Sequence, residues 1–124
     1  MERTLVVDDS PTIRRMVMAS LREVCLGGFL EAASGLEACE KLALSPVSLI
    51  VLDLNMPDMH GLELLAFVRR HPALKSLPVI VLTTRADQES RGAAAAAGAS
   101  LYLTKPFTPQ HLAEQARGLL EAKP

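Results

Sequence analysis

The stretch Leu49-Ile50-Val51-Leu52 is the clearest buried strand in the sequence, and Asp53 follows it directly. Four consecutive apolar residues, two of them β-branched, are typical of a strand that is covered on both faces. Such a strand belongs inside a parallel sheet with helices packed on either side. The polar residue after it lies at the sheet edge where ligands commonly bind. This stretch therefore predicts both the fold class and a first candidate for the functional site.

Four further apolar runs have the same character, and each is followed by a helix-forming segment. The predicted strands are Leu5-Val6-Val7, Phe29 to Ala33, Val79-Ile80-Val81-Leu82 and Leu101-Tyr102-Leu103. The predicted helices run from the Ser10-Pro11 cap through Val24, from Gly35 to Leu44, from Gly61 to Arg70, from about Asp87 to Ala97, and onward from Thr108-Pro109. Five βα units in strict alternation predict an α/β fold, a doubly wound five-stranded parallel sheet with helices on both faces. Because no linker or repeat interrupts the chain, residues 1–124 are expected to form one domain.

Composition limits the classes of function. The 124 residues are 49% hydrophobic and 22% charged, and the formal net charge is -1. Without a basic patch or an aromatic stacking surface, nucleic acid is not an expected partner. The first apolar run is too short for a signal peptide or a spanning helix, so no membrane association is expected. Cys25 and Cys39 lack metal-ligand spacing, which favours structural thiols and a cytoplasmic location.

Acidic residues follow two of the predicted strands. Asp8 and Asp9 come after the first strand and Asp53 after the third, so three carboxylates are expected at one edge of the sheet. Two charges about 4 Å apart repel each other by roughly 4 kcal/mol at an effective dielectric near 20. A hard cation relieves this repulsion, and Mg²⁺ (or Mn²⁺) held by the three carboxylates and the backbone carbonyl of Asn55 fits that need. Each aspartate alone has a simpler explanation, as a strand end or the start of a turn.

The chemistry predicted at this edge is phosphoryl transfer to a carboxylate. Asp53 is the candidate nucleophile, because an aspartate is normally ionised at neutral pH and can attack phosphorus. The developing charge needs a cation and a hydroxyl donor as well as a metal. Lys105 follows the fifth strand and Thr83 ends the fourth, so these two residues are expected to supply them.

Four short motifs carry a family resemblance. They are Val7-Asp8-Asp9-Ser10, Asp53-Leu54-Asn55-Met56-Pro57 with Gly61, Leu82-Thr83, and Lys105-Pro106-Phe107. In order and spacing, over essentially the whole chain, they resemble the receiver domain of two-component response regulators, and the stand-alone chemotaxis-type regulators in particular. The resemblance implies a flavodoxin-like sheet with strand order 2-1-3-4-5. It also implies transfer of a phosphoryl group to Asp53 from a phosphohistidine of a sensor histidine kinase or histidine phosphotransfer protein, with small acyl phosphates as alternative donors.

The same resemblance assigns roles to residues around the acidic site. Thr83 is implied to be drawn toward the phosphoryl oxygens, and Tyr102, the switch aromatic, to enter the space that it leaves. Lys105-Pro106 is implied to be a cis peptide bond. The expected result is a phosphoacceptor switch that supports its own phosphorylation and dephosphorylation, not a conventional turnover enzyme. Chemotaxis or motility control is the expected pathway.

Two partner proteins are implied. The side chains of Arg14, Arg15 and Met18 on the first helix are expected to be exposed and to contact the kinase. No effector segment follows Pro124, so another protein is expected to carry the output.

Three features depart from the usual receiver pattern. Thr84 stands where a small residue is common, and its bulk is expected to narrow access to Asp53. Arg85 places a cation beside the site, where it is expected to alter dephosphorylation by water. The fourth predicted helix has Arg91-Gly92 followed by five alanines, so few large apolar side chains are expected on its surface.

Three alternatives stay open. A phosphatase of the haloacid-dehalogenase type also uses an aspartate nucleophile, but such enzymes usually carry a second acid two positions later, where this chain has Asn55. A flavin binder needs a phosphate loop after the first strand, and Asp8-Asp9 would repel a phosphate. A degenerate receiver that serves only for docking conflicts with the complete acidic set.

Overall fold

The central element of the fold is a parallel sheet of five strands. In the computed structural model, which describes residues 2–56 and 59–122, these are β1 (Arg3–Val7), β2 (Phe29–Ala32), β3 (Val47–Leu52), β4 (Val79–Thr83) and β5 (Leu101–Thr104). Their order across the sheet is β2-β1-β3-β4-β5, and every adjacent pair is parallel. The doubly wound, flavodoxin-like architecture with strand order 2-1-3-4-5 is therefore confirmed. Pro57, predicted to lie in the loop after β3, is outside the described residues.

Five helices alternate with the strands, and side-chain caps fix where most of them begin. They are α1 (Pro11–Leu21), α2 (Gly35–Leu44), α3 (Gly61–Arg70), α4 (Gln88–Ala97) and α5 (Pro109–Glu121). Ser10, Ser34, Asp87 and Thr108 each accept a hydrogen bond from the backbone N–H three residues later, which satisfies a donor that has no partner within the helix. No helix in the described part of the chain has the length and apolar character needed to cross a membrane.

The end of α1 differs from the prediction. The helix was expected to run through Val24, but it stops at Leu21, and the next residues form a turn. The carbonyl of Leu21 accepts hydrogen bonds from the backbone N–H groups of both Val24 and Cys25, at 3.0 and 2.8 Å. The helical spacing of apolar residues continues in the sequence as far as Val24, because Val24 and Cys25 still pack against the core from this turn.

Two hydrophobic cores lie on opposite faces of the sheet, and β3 contributes to both. Ile50 and Leu52 pack on the side of α2, α3 and α4, whereas Leu49 and Val51 pack on the side of α1 and α5. All four side chains are almost completely buried. Burial of each such side chain stabilises the fold by about 1.5–3 kcal/mol. The uninterrupted apolar run in the sequence thus reflects a strand between two helical layers.

The packing of α4 is thin, as its alanine-rich sequence predicts. Ala94 is the buried residue of this helix. The guanidinium of Arg69 on α3 donates to the carbonyl of Gly98, at the C-terminal end of α4, at 2.9 Å and to the carbonyl of Leu77, before β4, at 2.6 Å. Polar contacts therefore supply part of the attachment that large apolar side chains give elsewhere.

Candidate functional site

The predicted site residues come together because four strands end at one edge of the sheet. Asp8 follows β1 and Asp53 follows β3, and these two strands are adjacent and in register, with Val7 opposite Leu52. The backbone N–H of Asp53 donates to the carbonyl of Val7 at 3.0 Å, so the two aspartates leave the sheet side by side. Across β4 and β5, the backbone N–H of Lys105 donates to the carbonyl of Thr83 at 2.8 Å.

The three carboxylates form a compact acidic cluster. One carboxylate oxygen from each of Asp8, Asp9 and Asp53 lies within 4.8 Å of the others. Asp8 and Asp53 are only 3% and 6% exposed, whereas Asp9 is exposed to solvent. The backbone N–H of Ser10 donates to Asp8 Oδ1 at 2.9 Å and that of Asn55 to Asp53 Oδ1 at 3.3 Å. These bonds hold the two buried carboxylates in place while leaving oxygens available to a ligand.

Lys105 is the cation of the cluster. Its Nζ lies 2.8 Å from Asp8 Oδ2 and 3.4 Å from Asp53 Oδ2, and its side chain is 13% exposed. One ammonium opposes three carboxylates, so these four groups together carry a net charge of about -2 when all are ionised. A divalent cation would neutralise that charge, and an all-oxygen donor set suits a hard ion such as Mg²⁺. The residues present therefore fit the expected metal.

Thr83 is fully buried at the end of β4. Its Oγ1 accepts a hydrogen bond from the backbone N–H of Arg85 at 3.4 Å. Beside it, the Lys105–Pro106 peptide bond is cis. Thr84 is exposed and lines a largely apolar depression with Ile13, Met16 and Phe107.

Tyr102 is half-buried on β5, and two arginines contact it. Its hydroxyl donates a hydrogen bond to the backbone carbonyl of Arg85. The guanidinium carbon of Arg91, on α4, lies 4.8 Å from the centre of the ring, within the range of a cation–π contact. Burial and the negative charge of Asp87 raise the pKa of Tyr102, and the charge of Arg91 opposes that rise.

The predicted exposure of two α1 residues is wrong. Arg14 is turned against the protein, with its side chain only 14% exposed, donating to Glu31 Oε1 at 2.9 Å and to the backbone carbonyl of Asp8 at 2.7 Å. Met18 is half-buried and packs against the core on the α1 and α5 side. Arg15 is exposed, as expected. Arg14 thus supports the first acidic loop, a contact that residue spacing could not indicate.

A hydrogen bond that residue spacing does not indicate crosses the opening of the site. The sequence places Arg85 beside the site but indicates no partner for its side chain. The Nε of Arg85 donates to the side-chain oxygen of Asn55 at 2.9 Å. This hydrogen bond joins the loop after β4 to the loop after β3. The only signal in the sequence was a polar residue following each of two neighbouring strands.

Known proteins share both the sequence pattern and this fold. Residues 4–117 match the family described as "Response regulator receiver domain". The chain is 41% identical over 114 residues to the chemotaxis protein CheY1 of Helicobacter pylori, an alignment that covers 91% of this chain and 92% of the relative. The chemotaxis response regulator CheY4 of Vibrio cholerae has a TM-score of 0.87 at 35% identity, covering 96% of this chain and 98% of that one. The Mn²⁺-bound form of the response regulator Rcp1 has a TM-score of 0.80 at 31% identity, covering 96% and 91%. Because the family match spans nearly the whole chain and the sheet order is the same as predicted from it, this protein belongs to the response regulator receiver domains.

Proposed function

We propose that Asp53 is the phosphoacceptor of this receiver and that residues 1–124 act as one phosphorylation-dependent switch. The donor is a phosphohistidine on a sensor histidine kinase or a histidine phosphotransfer protein. The observation that carries the proposal is the buried Asp53 carboxylate, which has Asp8 and Asp9 within 4.8 Å and the Lys105 ammonium 3.4 Å away. The similarity to chemotaxis proteins supports a role in chemotaxis or motility control.

The reaction is a transfer between two heteroatoms. A carboxylate oxygen of Asp53 forms a bond to phosphorus while the bond from phosphorus to the histidine nitrogen breaks, and the imidazole leaves with that electron pair. The nucleophile needs no base, because the carboxylate carries no proton to remove. What the reaction requires is positive charge around the transferring group.

A divalent metal fits the acidic cluster. Asp8, Asp9, Asp53 and the backbone carbonyl of Asn55 would hold Mg²⁺ or Mn²⁺. Bound there, the ion supplies charge that offsets the repulsion between the carboxylates and an incoming phosphoryl group. The Mn²⁺-bound form of Rcp1 supports the assignment of this class of metal.

Lys105 and Thr83 provide the remaining contacts. Lys105 Nζ, already held between Asp8 and Asp53, offsets charge on the phosphoryl oxygens. The Thr83 hydroxyl donates a hydrogen bond to one of those oxygens once it turns away from its present contact with the N–H of Arg85. Both side chains are shielded from solvent, which strengthens their interaction with a charged group.

The output is a change in the population of surface conformations. Movement of Thr83 toward the phosphoryl group opens space that Tyr102 enters, and Tyr102 lies half-buried on β5 beside α4. The face formed by α4, β5 and α5 then binds the effector protein differently. The histidine kinase binds at α1, where Arg15 contacts it. Arg14 and Met18 support that contact from less exposed positions.

The phosphatase alternative is less well supported. The position two residues after Asp53 holds Asn55, whose side-chain oxygen accepts a hydrogen bond from Arg85 and cannot act as a general acid. A docking module without chemistry is also disfavoured, because two buried carboxylates would be kept at an energetic cost for no purpose.

Intact mass after incubation with acetyl phosphate tests the proposal. Wild type should gain one phosphoryl group in the presence of Mg²⁺ and none in EDTA, and Asp53→Asn should gain none in either. Circular dichroism of the variant confirms that its fold is retained. Equal mass gain by Asp53→Asn and wild type would refute the assignment of the acceptor.

A further inference from the structure

Arg85 is bonded at three points in the loop between β4 and α4. Its backbone N–H donates to Thr83 Oγ1 at 3.4 Å, and its backbone carbonyl accepts from the hydroxyl of Tyr102. Its side-chain Nε donates to Asn55 Oδ1 at 2.9 Å, although the residue as a whole is exposed. One residue thus contacts both the loop that carries Asp53 and the tyrosine expected to report on it.

A continuous chain of hydrogen bonds follows from these contacts. The backbone N–H of Asn55 donates to Asp53 Oδ1 at 3.3 Å, and the side chain of the same Asn55 binds Arg85. Arg85 in turn holds the Tyr102 hydroxyl through its carbonyl. Three hydrogen bonds therefore separate the carboxylate of Asp53 from the ring of Tyr102, on a path distinct from the Thr83 hydroxyl.

We propose that Arg85 is a positioning residue that transmits the state of Asp53 to Tyr102 through Asn55, alongside Thr83. The proposal rests on the proposed function, since it assumes that Asp53 is the group that is modified. The link from Asp53 to Tyr102 is present in the unphosphorylated protein too, because its three hydrogen bonds already exist there.

Charge explains why the link should respond to phosphorylation. The guanidinium of Arg85 has five N–H donors. Of these, only the one on Nε makes a hydrogen bond to a described residue. A phosphoryl group on Asp53 adds about -1.5 to -2 charges and three strong acceptor oxygens. Hydrogen bonds from a guanidinium to a charged acceptor are stronger than the bond to the neutral amide of Asn55. The side chain of Arg85 therefore exchanges Asn55 for the phosphoryl group, and the carbonyl that holds Tyr102 moves with it.

Arg91 provides a matched comparison. It is an exposed arginine that also contacts Tyr102, but it does so from α4 and over the face of the ring. Within the described parts of the chain, its side chain makes no hydrogen bond to the loop after β3. Substitution of Arg91 should perturb Tyr102 directly without coupling it to Asn55.

The single tyrosine makes the test direct, since the chain has no tryptophan and Tyr102 is its one tyrosine. The ring signal of labelled tyrosine is measured by NMR in the metal-free protein for Arg85→Ala, Asn55→Ala, Arg91→Ala and the two double variants that contain Asn55→Ala. Arg85→Ala and Asn55→Ala should each shift the equilibrium between the hydrogen-bonded and unbonded positions of the Tyr102 ring by about two- to tenfold. This is the range expected for one hydrogen bond. Their combination should shift it no further than Arg85→Ala alone, whereas Asn55→Ala and Arg91→Ala should act additively. Additive effects of Arg85→Ala and Asn55→Ala, or no shift in either, would overturn the proposal.

A second measurement separates this proposal from the phosphoacceptor assignment. Beryllofluoride with Mg²⁺ mimics a phosphoryl group, and mass gain from acetyl phosphate is followed in parallel. At saturating beryllofluoride and Mg²⁺, the Tyr102 response of Arg85→Ala should fall to half or less of the wild-type response, and Arg85→Lys should recover part of it. An unchanged response in Arg85→Ala overturns the proposal while the phosphoacceptor assignment stands. If wild type gains no phosphoryl group, the phosphoacceptor assignment fails, and the double-variant comparison in the metal-free protein decides the role of Arg85.

Discussion

Substitution of Asp9 by asparagine should stabilise the metal-free protein. The carboxylate oxygens of Asp9 and of the two buried aspartates lie within 4.8 Å of one another. At that separation two charges repel by about 3.5 kcal/mol at an effective dielectric near 20. Solvent screens much of this repulsion because Asp9 is exposed. About 1 kcal/mol of the repulsion is expected to remain. Among the described residues Asp9 makes no hydrogen bond that the substitution would remove, so the relief of repulsion dominates.

Mg²⁺ should remove the greater stability that Asp9→Asn has over wild type in the metal-free protein. A ligand at 100 times its Kd stabilises the folded state by about 2.7 kcal/mol. If the loss of one carboxylate weakens metal binding tenfold, the same Mg²⁺ concentration stabilises Asp9→Asn by only about 1.4 kcal/mol. The variant is then more stable than wild type in EDTA and loses that lead in Mg²⁺.

Urea unfolding followed by circular dichroism, in EDTA and in Mg²⁺, measures both quantities. Glu40→Gln is the matched control, because Glu40 is an exposed acid on α2 away from the site. It should change neither the stability in EDTA nor the increment from Mg²⁺. A lower stability of Asp9→Asn than of wild type in EDTA would rule out relief of charge repulsion, and an unchanged increment from Mg²⁺ would rule out Asp9 as a metal ligand.

Three other perturbations test the fold and the surface around the site. Gly61→Ala should cost about 1–3 kcal/mol in urea unfolding, because its Cβ would lie 2.6 Å from backbone atoms at the end of β3, whereas Gly92→Ala, which meets open space, should gain up to about 1 kcal/mol. Tyr102 should titrate above its usual pKa of 10.0 in an absorbance titration, and Asp87→Asn should lower that pKa. Because the folded pKa is raised, its contribution to stability is present below about pH 10 and lost as the pH rises through the folded value. Arg69→Ala should destabilise the protein by about 2–4 kcal/mol, since two part-buried carbonyls lose their donor; equal unfolding midpoints for this variant and wild type would contradict the argument.

The sequence predicts the fold well because its strongest signals are local. Continuous apolar runs mark the buried strands, and the bounds of α2 and α3 match the prediction to the residue. Capping side chains before α1 and α5 gave additional start signals. The gathering of Asp8, Asp53 and Lys105 followed from the rule that parallel strands end at a common edge.

Two of the failures concern long side chains. The position of Arg14 on α1 is compatible with solvent or with the carbonyl of Asp8, and only the packed structure decides between them. The bond between Arg85 and Asn55 joins residues 30 positions apart, and no periodicity encodes such a contact. The cap of α3 was also missed, because His60 is not a common capping residue, yet its Nδ1 accepts from the N–H of Leu62.

Locating the acyl phosphate along the chain decides whether Asp53 carries the phosphoryl group. The protein is treated with acetyl phosphate and Mg²⁺, reduced with borohydride, which converts a phosphorylated aspartate to homoserine, and then mapped by peptide mass spectrometry. Homoserine is expected at position 53 alone, and none is expected when Mg²⁺ is replaced by EDTA. Homoserine at Asp8 or Asp9 with position 53 unmodified would contradict it.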